Sequence, residues 1–421
     1  MDSIKLSKFA ETLVASEIVR LGAAIKEKIR NGEQIYNYTI GDFDPHEFPI
    51  PEVLEKEIIE AYKNNFTSYP SAEGELDLRK AVSSYISDYL GLDYKPEEVL
   101  IAAGGRPLIY SLYKIIVDEG DKVIYPVPSW NNNHYTNFNK GNHVAIEATA
   151  ENNFMPTAEQ LKPHVKGAAL ISVCSPLNPT GTTFSKDELE KICDLIIEEN
   201  NSRGKNEKKL YLMFDQIYWT LTYGNTKHYD PVSVRPAMKD FTIYIDGISK
   251  SFASTGVRVG WALGPTAVLN RMRSLNSHIG SWAPMAEQKA VANFLNNRIE
   301  VEKYFTHFKS ELAQRLNNIH EGIQKLKKDG FSVDSIEPQA AIYLTIKVDL
   351  KNKKLPDGKL IENQSQVTDF LLNDAKLAIV PFTAFGASGN SPWYRLSVGV
   401  CKKQDIQIVL GNLKNALDKI S

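Results

Sequence analysis

The stretch Asp246-Gly247-Ile248-Ser249-Lys250-Ser251-Phe252-Ala253-Ser254-Thr255-Gly256-Val257-Arg258-Val259-Gly260 follows an apolar run, Phe241 to Ile245, that reads as a buried strand. Lys250 therefore stands just beyond a strand's end. Small residues surround it (Gly247, Ser249, Ser251, Ala253, Ser254) and leave room for a bulky group against the backbone, and Arg258 follows eight positions later. A lysine amine captures carbonyls when burial or a neighbouring cation lowers its pKa. An arginine suits a phosphate because its planar fork donates two parallel hydrogen bonds. The pair points to a ligand that carries both groups.

Taken alone, a Ser-Lys pair is most often a solvated surface charge, so the wider spacing decides. Gly247-Ile248-Ser249-Lys250, with Ala253, Gly256, Arg258 and Gly260 at their offsets, resembles the lysine signature of class I and II pyridoxal-phosphate aminotransferases. The resemblance implies pyridoxal 5'-phosphate as cofactor, Lys250 as the catalytic residue that holds it, and Ser249 and Arg258 among its further ligands. Two positions depart from the pattern. Ser254 replaces a usual apolar residue, and Gly247 stands where many relatives carry a phosphate-binding serine, so one hydroxyl contact is expected to be missing.

Outward from this stretch, composition sets bounds. A chain of 421 residues predicts two domains, or one large domain with a smaller one folded back on it. With 43% hydrophobic and 24% charged residues and a net charge of -2, nothing favours nucleic acid or an anionic membrane as partner. Cys174, Cys193 and Cys401 are widely spaced in apolar segments, which reads as reduced core cysteines in a cytoplasmic protein. The first thirty residues lack the apolar stretch of a signal peptide, and no run approaches a membrane span. The histidines show no metal-ligand spacing, so no metal is expected.

From the N-terminus, Ser16 to Arg30 carries a helical stripe (Ile18, Leu21, Gly22, Ile25) that stops at Asn31-Gly32. Tyr36 to Ile40 reads as a strand, Gly41 to Pro45 as a turn, and Glu52 to Lys63 as a helix. The resemblance makes Gly41 a substrate ligand through its backbone. It also makes Tyr69, in the loop Tyr69 to Gly74, a ligand of the neighbouring subunit's cofactor phosphate, implying a homodimer with shared active sites. The strand Val99 to Ala103 runs into Gly104-Gly105-Arg106-Pro107 and a helix from Leu108 to Val117. Free N–H groups at such a helix start form a phosphate cradle, assigned to Gly104, Gly105 and the Arg106 backbone. The pattern is neither a P-loop nor a dinucleotide fingerprint. Arg106 replaces a common serine or threonine; some aspartate-specific relatives resemble it in placing a cation near the substrate's distal end.

The strand Lys122 to Pro126 leads to Trp130, which the resemblance stacks on the cofactor's pyridine ring; the polar cluster Asn131 to Tyr135 has no assigned role. The apolar strand Ala168 to Val173 suits a parallel sheet covered on both faces. Beyond it, Ser175 to Gly181 contains an Asn-Pro-Thr-Gly turn at a strand's C-terminal end, and the resemblance implies that its asparagine, Asn178, bonds the cofactor's phenolic oxygen. Ser185 and Glu188 predict a capping box, Cys193 falls on the next helix's apolar face, and Asn200 to Lys209 reads as a solvated loop. Leu210 to Phe214 is a buried strand ending in Asp215, a carboxylate that needs a cationic partner; a protonated pyridine nitrogen would be one. Tyr218 matches a second ligand of the phenolic oxygen. Val259 to Gly264 is a strand, Met285 to Asp329 is helical, and strands follow near Phe331 to Ile336, Ala341 to Val348, Leu377 to Phe382 and Tyr394 to Val400, with Lys351 to Gln366 a surface excursion. Arg395 matches the arginine that binds the substrate's α-carboxylate.

The fold class expected is therefore α/β, like fold-type I pyridoxal-phosphate enzymes: residues 1–48 joining a small domain, 49–284 a large domain on a mostly parallel seven-stranded sheet, and 285–421 the small α+β domain. The function implied is ping-pong transfer of an amino group between an amino acid, aspartate by virtue of Arg106, and a 2-oxo acid. Two alternatives stand beside it. One is a carbon-sulfur or other β-eliminating lyase of the same fold. The other is a cofactor-sensing regulator, disfavoured because only forty residues precede Gly41 and the lysine is intact.

Overall fold

The computed structural model describes residues 5–11, 13, 17–355 and 357–420. In chain order the strands are β1 (Tyr36–Asn37), β2 (Val99–Ala102), β3 (Lys122–Val127), β4 (Asn142–Glu147), β5 (Ala168–Cys174), β6 (Tyr211–Asp215), β7 (Thr242–Gly247), β8 (Gly260–Leu263), β9 (Val333–Ser335), β10 (Tyr343–Val348), β11 (Leu377–Ala378), β12 (Val380–Pro381) and β13 (Trp393–Ser397). Seven of them form one sheet in the order β2-β8-β7-β6-β5-β3-β4. All its pairings are parallel except those of β8, which runs antiparallel to both β2 and β7.

Both faces of this sheet are covered, which is why its strands read as unbroken apolar runs rather than alternating ones. Successive side chains still point to opposite faces. Leu212, Phe214 and Tyr244 enter one core cluster, whereas Met213, Ile243 and Ile245 enter the other, against the helix Gly105–Ile116. The second cluster also holds Leu108, Leu112 and Ile116 from one stripe of that helix. A third core lies beneath the antiparallel sheet β12-β13-β10-β9 and holds Leu312, Leu316, Ile319 and Ile323 of the long helix Arg298–Lys328. The short pair β1-β11 is parallel.

Several local expectations are corrected. The N-terminal helix begins at Glu17 in the described residues; Ser16 lies outside them. Only Tyr36 and Asn37 are strand, because the following carbonyls of Tyr38 and Thr39 serve Ser397 and Arg395 instead. Met285 to Asp329 divides into two helices at Asn297, whose side chain caps the second by accepting from Glu300 N at 3.4 Å. Ser185 caps its helix, but Glu188 does not reach back: its carboxylate accepts from Ala158 N at 2.6 Å. Asn200 is no loop residue. It is buried near the end of the helix Lys186–Ser202 and exchanges two hydrogen bonds with the Leu210 backbone. Leu377 to Phe382 splits into β11 and β12, which serve different sheets.

Candidate active site

Strand direction assembles the site. In open α/β sheets ligands sit beyond the strands' C-terminal ends, and that edge carries Gly104 after β2, Trp130 after β3, Asn178 after β5, Asp215 at the end of β6 and Lys250 after β7. Arg258 precedes β8, and because β8 is antiparallel its N-terminal end lies on the same edge. Facing them across a cavity of about 790 Å³ are Gly41 and, on β13, Arg395, a size suited to a small-molecule ligand.

Lys250 sits in the short helix Ile248–Ser251. Its Nζ donates to the Gly41 carbonyl at 2.7 Å. Burial lowers its pKa to about 8; Arg395, Arg106 and Arg258 act in the same direction and Asp42 opposes them. Only a neutral amine can act as a nucleophile, and its fraction grows as pH rises towards that value. The rate at which cofactor-free protein captures pyridoxal phosphate is thus expected to climb about tenfold per pH unit below pH 7 and to level off above about 8. A rate independent of pH from 6 to 9 in stopped-flow absorbance would contradict this.

The expected phosphate cradle is built by close approach. Gly104 has φ 86°, and a Cβ there would overlap the Arg258 guanidinium. A Cβ on Gly260 would meet the Gly104 Cα at 2.8 Å, so glycine is required at both positions. The helix starting at Gly105 presents its free N–H groups to the cavity, where Gly105, Ser249 and Arg258 are lining residues. Arg258 adopts φ 64° and donates to Thr255 O at 2.6 Å and Ala103 O at 2.8 Å. Gly247 has a structural reason for lacking the family's serine: its Cβ would stand 2.8 Å from both Val259 O and Gly260 Cα.

At the cavity floor the Asp215 carboxylate accepts from Ile217 N at 3.1 Å and pairs with no cation among the described residues. Burial pushes its carboxyl up to about 6. Such a group needs a cationic partner. Trp130 lines the wall, with the Arg106 guanidinium 5.4 Å from its ring. Arg106 itself is exposed and makes no ion pair among the described residues. Asn178 Oδ1 accepts from Arg395 Nη1 at 3.0 Å, which fixes the amide orientation because arginine only donates. Arg395 is 2% exposed; Nη2 donates to Thr39 O at 2.6 Å, while its Nε is buried without a partner.

One expected residue stays apart. Tyr69 is 84% exposed, lies edge-on to Trp282 at 5.2 Å, and lines an open apolar groove rather than the cavity. Others were missed. Cys174, read as core, is only partly buried and lines the cavity beside Asp215, its register partner. Asn132 and Tyr135, left without a role, line it too; Asn132 Oδ1 accepts from Ser172 at 2.7 Å. Lys26 reaches it because Ile18, Gly22 and Lys26 share one helix face, a spacing legible in the sequence. Tyr343 lines it from β10, and only the tertiary fold reveals that. Among the described residues no cluster could hold a metal ion.

Comparison with known proteins places the fold in a family. The family model for aminotransferase class I and II matches residues 34–413. The chain is 31% identical to an aspartate aminotransferase of Bacillus sp. (strain YM-2), over 91% of this chain and 92% of that one. Its fold is similar to the crystal structure of the Rhizobium meliloti aspartate aminotransferase, with a TM-score of 0.91, 24% identity and 100% of each chain covered. It is also similar to the Thermus thermophilus aspartate aminotransferase with maleate, with a TM-score of 0.86, 26% identity, and 98% and 100% covered.

Proposed function

The chain belongs to the class I and II aminotransferases of fold type I, and from that premise we propose that it moves the amino group of L-aspartate to a 2-oxo acid with pyridoxal 5'-phosphate as cofactor. The observation that carries the cofactor is a set of groups gathered on one cavity: the Asp215 carboxylate without a cation among the described residues, the helix N-terminus at Gly105 beside Arg258, and the Lys250 amine with its lowered pKa. They fit a pyridine nitrogen, a phosphate and a carbonyl respectively. When bound, the cofactor supplies a carbonyl for the substrate's amine and a ring that accepts electrons.

The protein's own part follows. Lys250 Nζ takes the proton from the substrate's Cα and returns it on the other side of the transfer, as base and then acid. Asp215 keeps a positive charge on the ring nitrogen. Asn178 and Tyr218 address the ring oxygen, Trp130 excludes water from one ring face, and Arg395 holds the α-carboxylate through paired donors while Gly41 offers its backbone. Orientation by Arg395 sets which bond at Cα stands upright to the ring. Tyr69, with the groove around it, serves the partner subunit's phosphate in a homodimer. Three free cysteines support a reducing, cytoplasmic setting; among the described residues no helix is long and apolar enough to cross a membrane.

Charge balance supports a dicarboxylate. The cavity's charged residues are Lys26, Arg106, Lys250, Arg258 and Arg395 against Asp42 and Asp215. A phosphate answers Arg258 and an α-carboxylate answers Arg395, which leaves Arg106 and Lys26 for a second carboxylate. The Thermus relative's complex with maleate, itself a dicarboxylate, supports the same reading. Mixing cofactor-loaded protein with L-aspartate alone is expected to release one oxaloacetate per site and no pyruvate. Arg106→Ser is expected to lower kcat/KM for aspartate relative to phenylalanine by ~10- to 100-fold, the worth of a charged hydrogen bond. An unchanged ratio would remove aspartate from the proposal.

A further inference from the structure

Tyr343 lies against three residues assigned to the site: Tyr218, Arg395 and Gly41. It is 2% exposed, at the start of β10 opposite Ser397. Its hydroxyl lies 2.7 Å from the Tyr218 hydroxyl, with the rings edge to face at 5.5 Å. The Arg395 guanidinium sits 4.8 Å from the centre of its ring. A Cβ on Gly41 would stand 2.8 Å from its hydroxyl, so the glycine whose carbonyl receives Lys250 also makes room for Tyr343. The two tyrosines are held in place by rungs between their own segments. Ala341 N donates to Leu221 O at 2.8 Å, Tyr223 N to Gln339 O at 2.9 Å, and the Tyr223 hydroxyl to Ala341 O at 2.6 Å.

We propose that Tyr343 is a positioning residue that works on both ends of the reaction: its hydroxyl donates to Tyr218, and its ring seats Arg395 for the substrate's α-carboxylate. The inference rests on the cofactor reading above. Tyr218 has one proton to give. If the ring oxygen receives it, the Tyr218 oxygen is left to accept, and Tyr343 is its hydrogen-bonding side-chain neighbour. A hydroxyl that accepts becomes a better donor, because hydrogen bonds in a chain polarise one another. Stronger donation from Tyr218 favours the form in which the ring oxygen is fully charged and the Lys250 nitrogen carries no proton. Tyr343 therefore lowers the pH at which that nitrogen titrates.

The titratable and charged groups facing the tyrosine pair are Cys174 from β5, Asp42 from the turn after β1, and Arg395 from β13. Those facing Lys250 are Asp42, Arg395, Arg106 and Arg258. None of them changes in Tyr343→Phe, which deletes one oxygen and keeps the ring beneath Arg395.

The experiment is a pH titration of the visible absorption of the cofactor-loaded protein, with Tyr343→Phe, Tyr218→Phe and the double variant in parallel. Tyr343→Phe is expected to raise the midpoint by ~0.5 unit, from the loss of one neutral hydrogen bond, and Tyr218→Phe to raise it further. In the Tyr218→Phe background the second change is expected to shift it by less than ~0.2 unit, because the two act in series. Tyr343→Leu, which removes the ring, is expected to raise the KM for aspartate ~10-fold as the Arg395 seat is lost. An unmoved midpoint in Tyr343→Phe, or an equal shift with and without Tyr218, overturns the inference while leaving the cofactor in place. Wild-type protein with no visible band after adding pyridoxal phosphate overturns the cofactor reading itself.

Discussion

Lys250→Ala is expected to reduce kcat by at least ~10⁴-fold, since under the proposed function it removes both the amine that captures the cofactor's carbonyl and the base that moves the Cα proton. The fold should survive. The amine lies in a cavity wall where burial disfavours its charge, and its hydrogen bond goes to a backbone carbonyl, Gly41 O, that can face water in the emptied space. Lys250→Arg separates the possible causes. A guanidinium keeps the positive charge and the length, but stays protonated at any working pH, so it neither captures a carbonyl nor accepts a proton. If the lysine acted only as a fixed charge, Lys250→Arg would keep most of the rate. Single-turnover measurement with L-aspartate decides it: Lys250→Arg above a tenth of the wild-type rate would remove the lysine from the chemistry.

The candidate site groups at strand ends were legible because a parallel sheet maps sequence order onto one edge. An apolar run followed by Gly104-Gly105, Asn178, Asp215 or Lys250 already places each residue beyond a C-terminal end. Arg258 was legible only by motif, since its arrival at that edge depends on β8 running antiparallel. Tyr343 and Cys174 were not legible. Each lies in an apolar strand, where the period of two says which residues share a face but not which face meets a cavity. Cys174 is the last residue of β5 and Tyr343 the first of β10, so both sit where a sheet ends and the ligand space begins. The Glu188 error has a similar origin. Capping chemistry predicted a local partner, and a more distant backbone N–H, that of Ala158, took the carboxylate. Lys26 could have been found by extending the helical stripe one turn beyond Gly22, as its i, i+4 relation places it over the same cavity.

Asp215→Asn tests the cavity floor through two effects of opposite sign. Without cofactor, Asp215 is a carboxylate with a single backbone donor and no cation among the described residues, and burial pushes its folded pKa up to about 6, above the usual aspartate value. The native state thus holds the proton more tightly than the unfolded chain does. That contribution to stability is full below about pH 4 and is lost as pH rises through 6. An asparagine of the same shape escapes the loss, so cofactor-free Asp215→Asn is expected to melt a few degrees above wild type at pH 7.5 and level with it at pH 4. With cofactor the order reverses, because only the carboxylate can pair with a protonated ring nitrogen. The variant should gain less melting temperature from pyridoxal phosphate, and its kcat should fall on the order of 10³-fold with the loss of charge stabilisation in the transition state. A residue retained purely for packing would give neither reversal. Were Asp215→Asn less stable without cofactor and equally active with it, Asp215 would belong to the scaffold, and the lone charge at the end of β6 would lack a chemical reason.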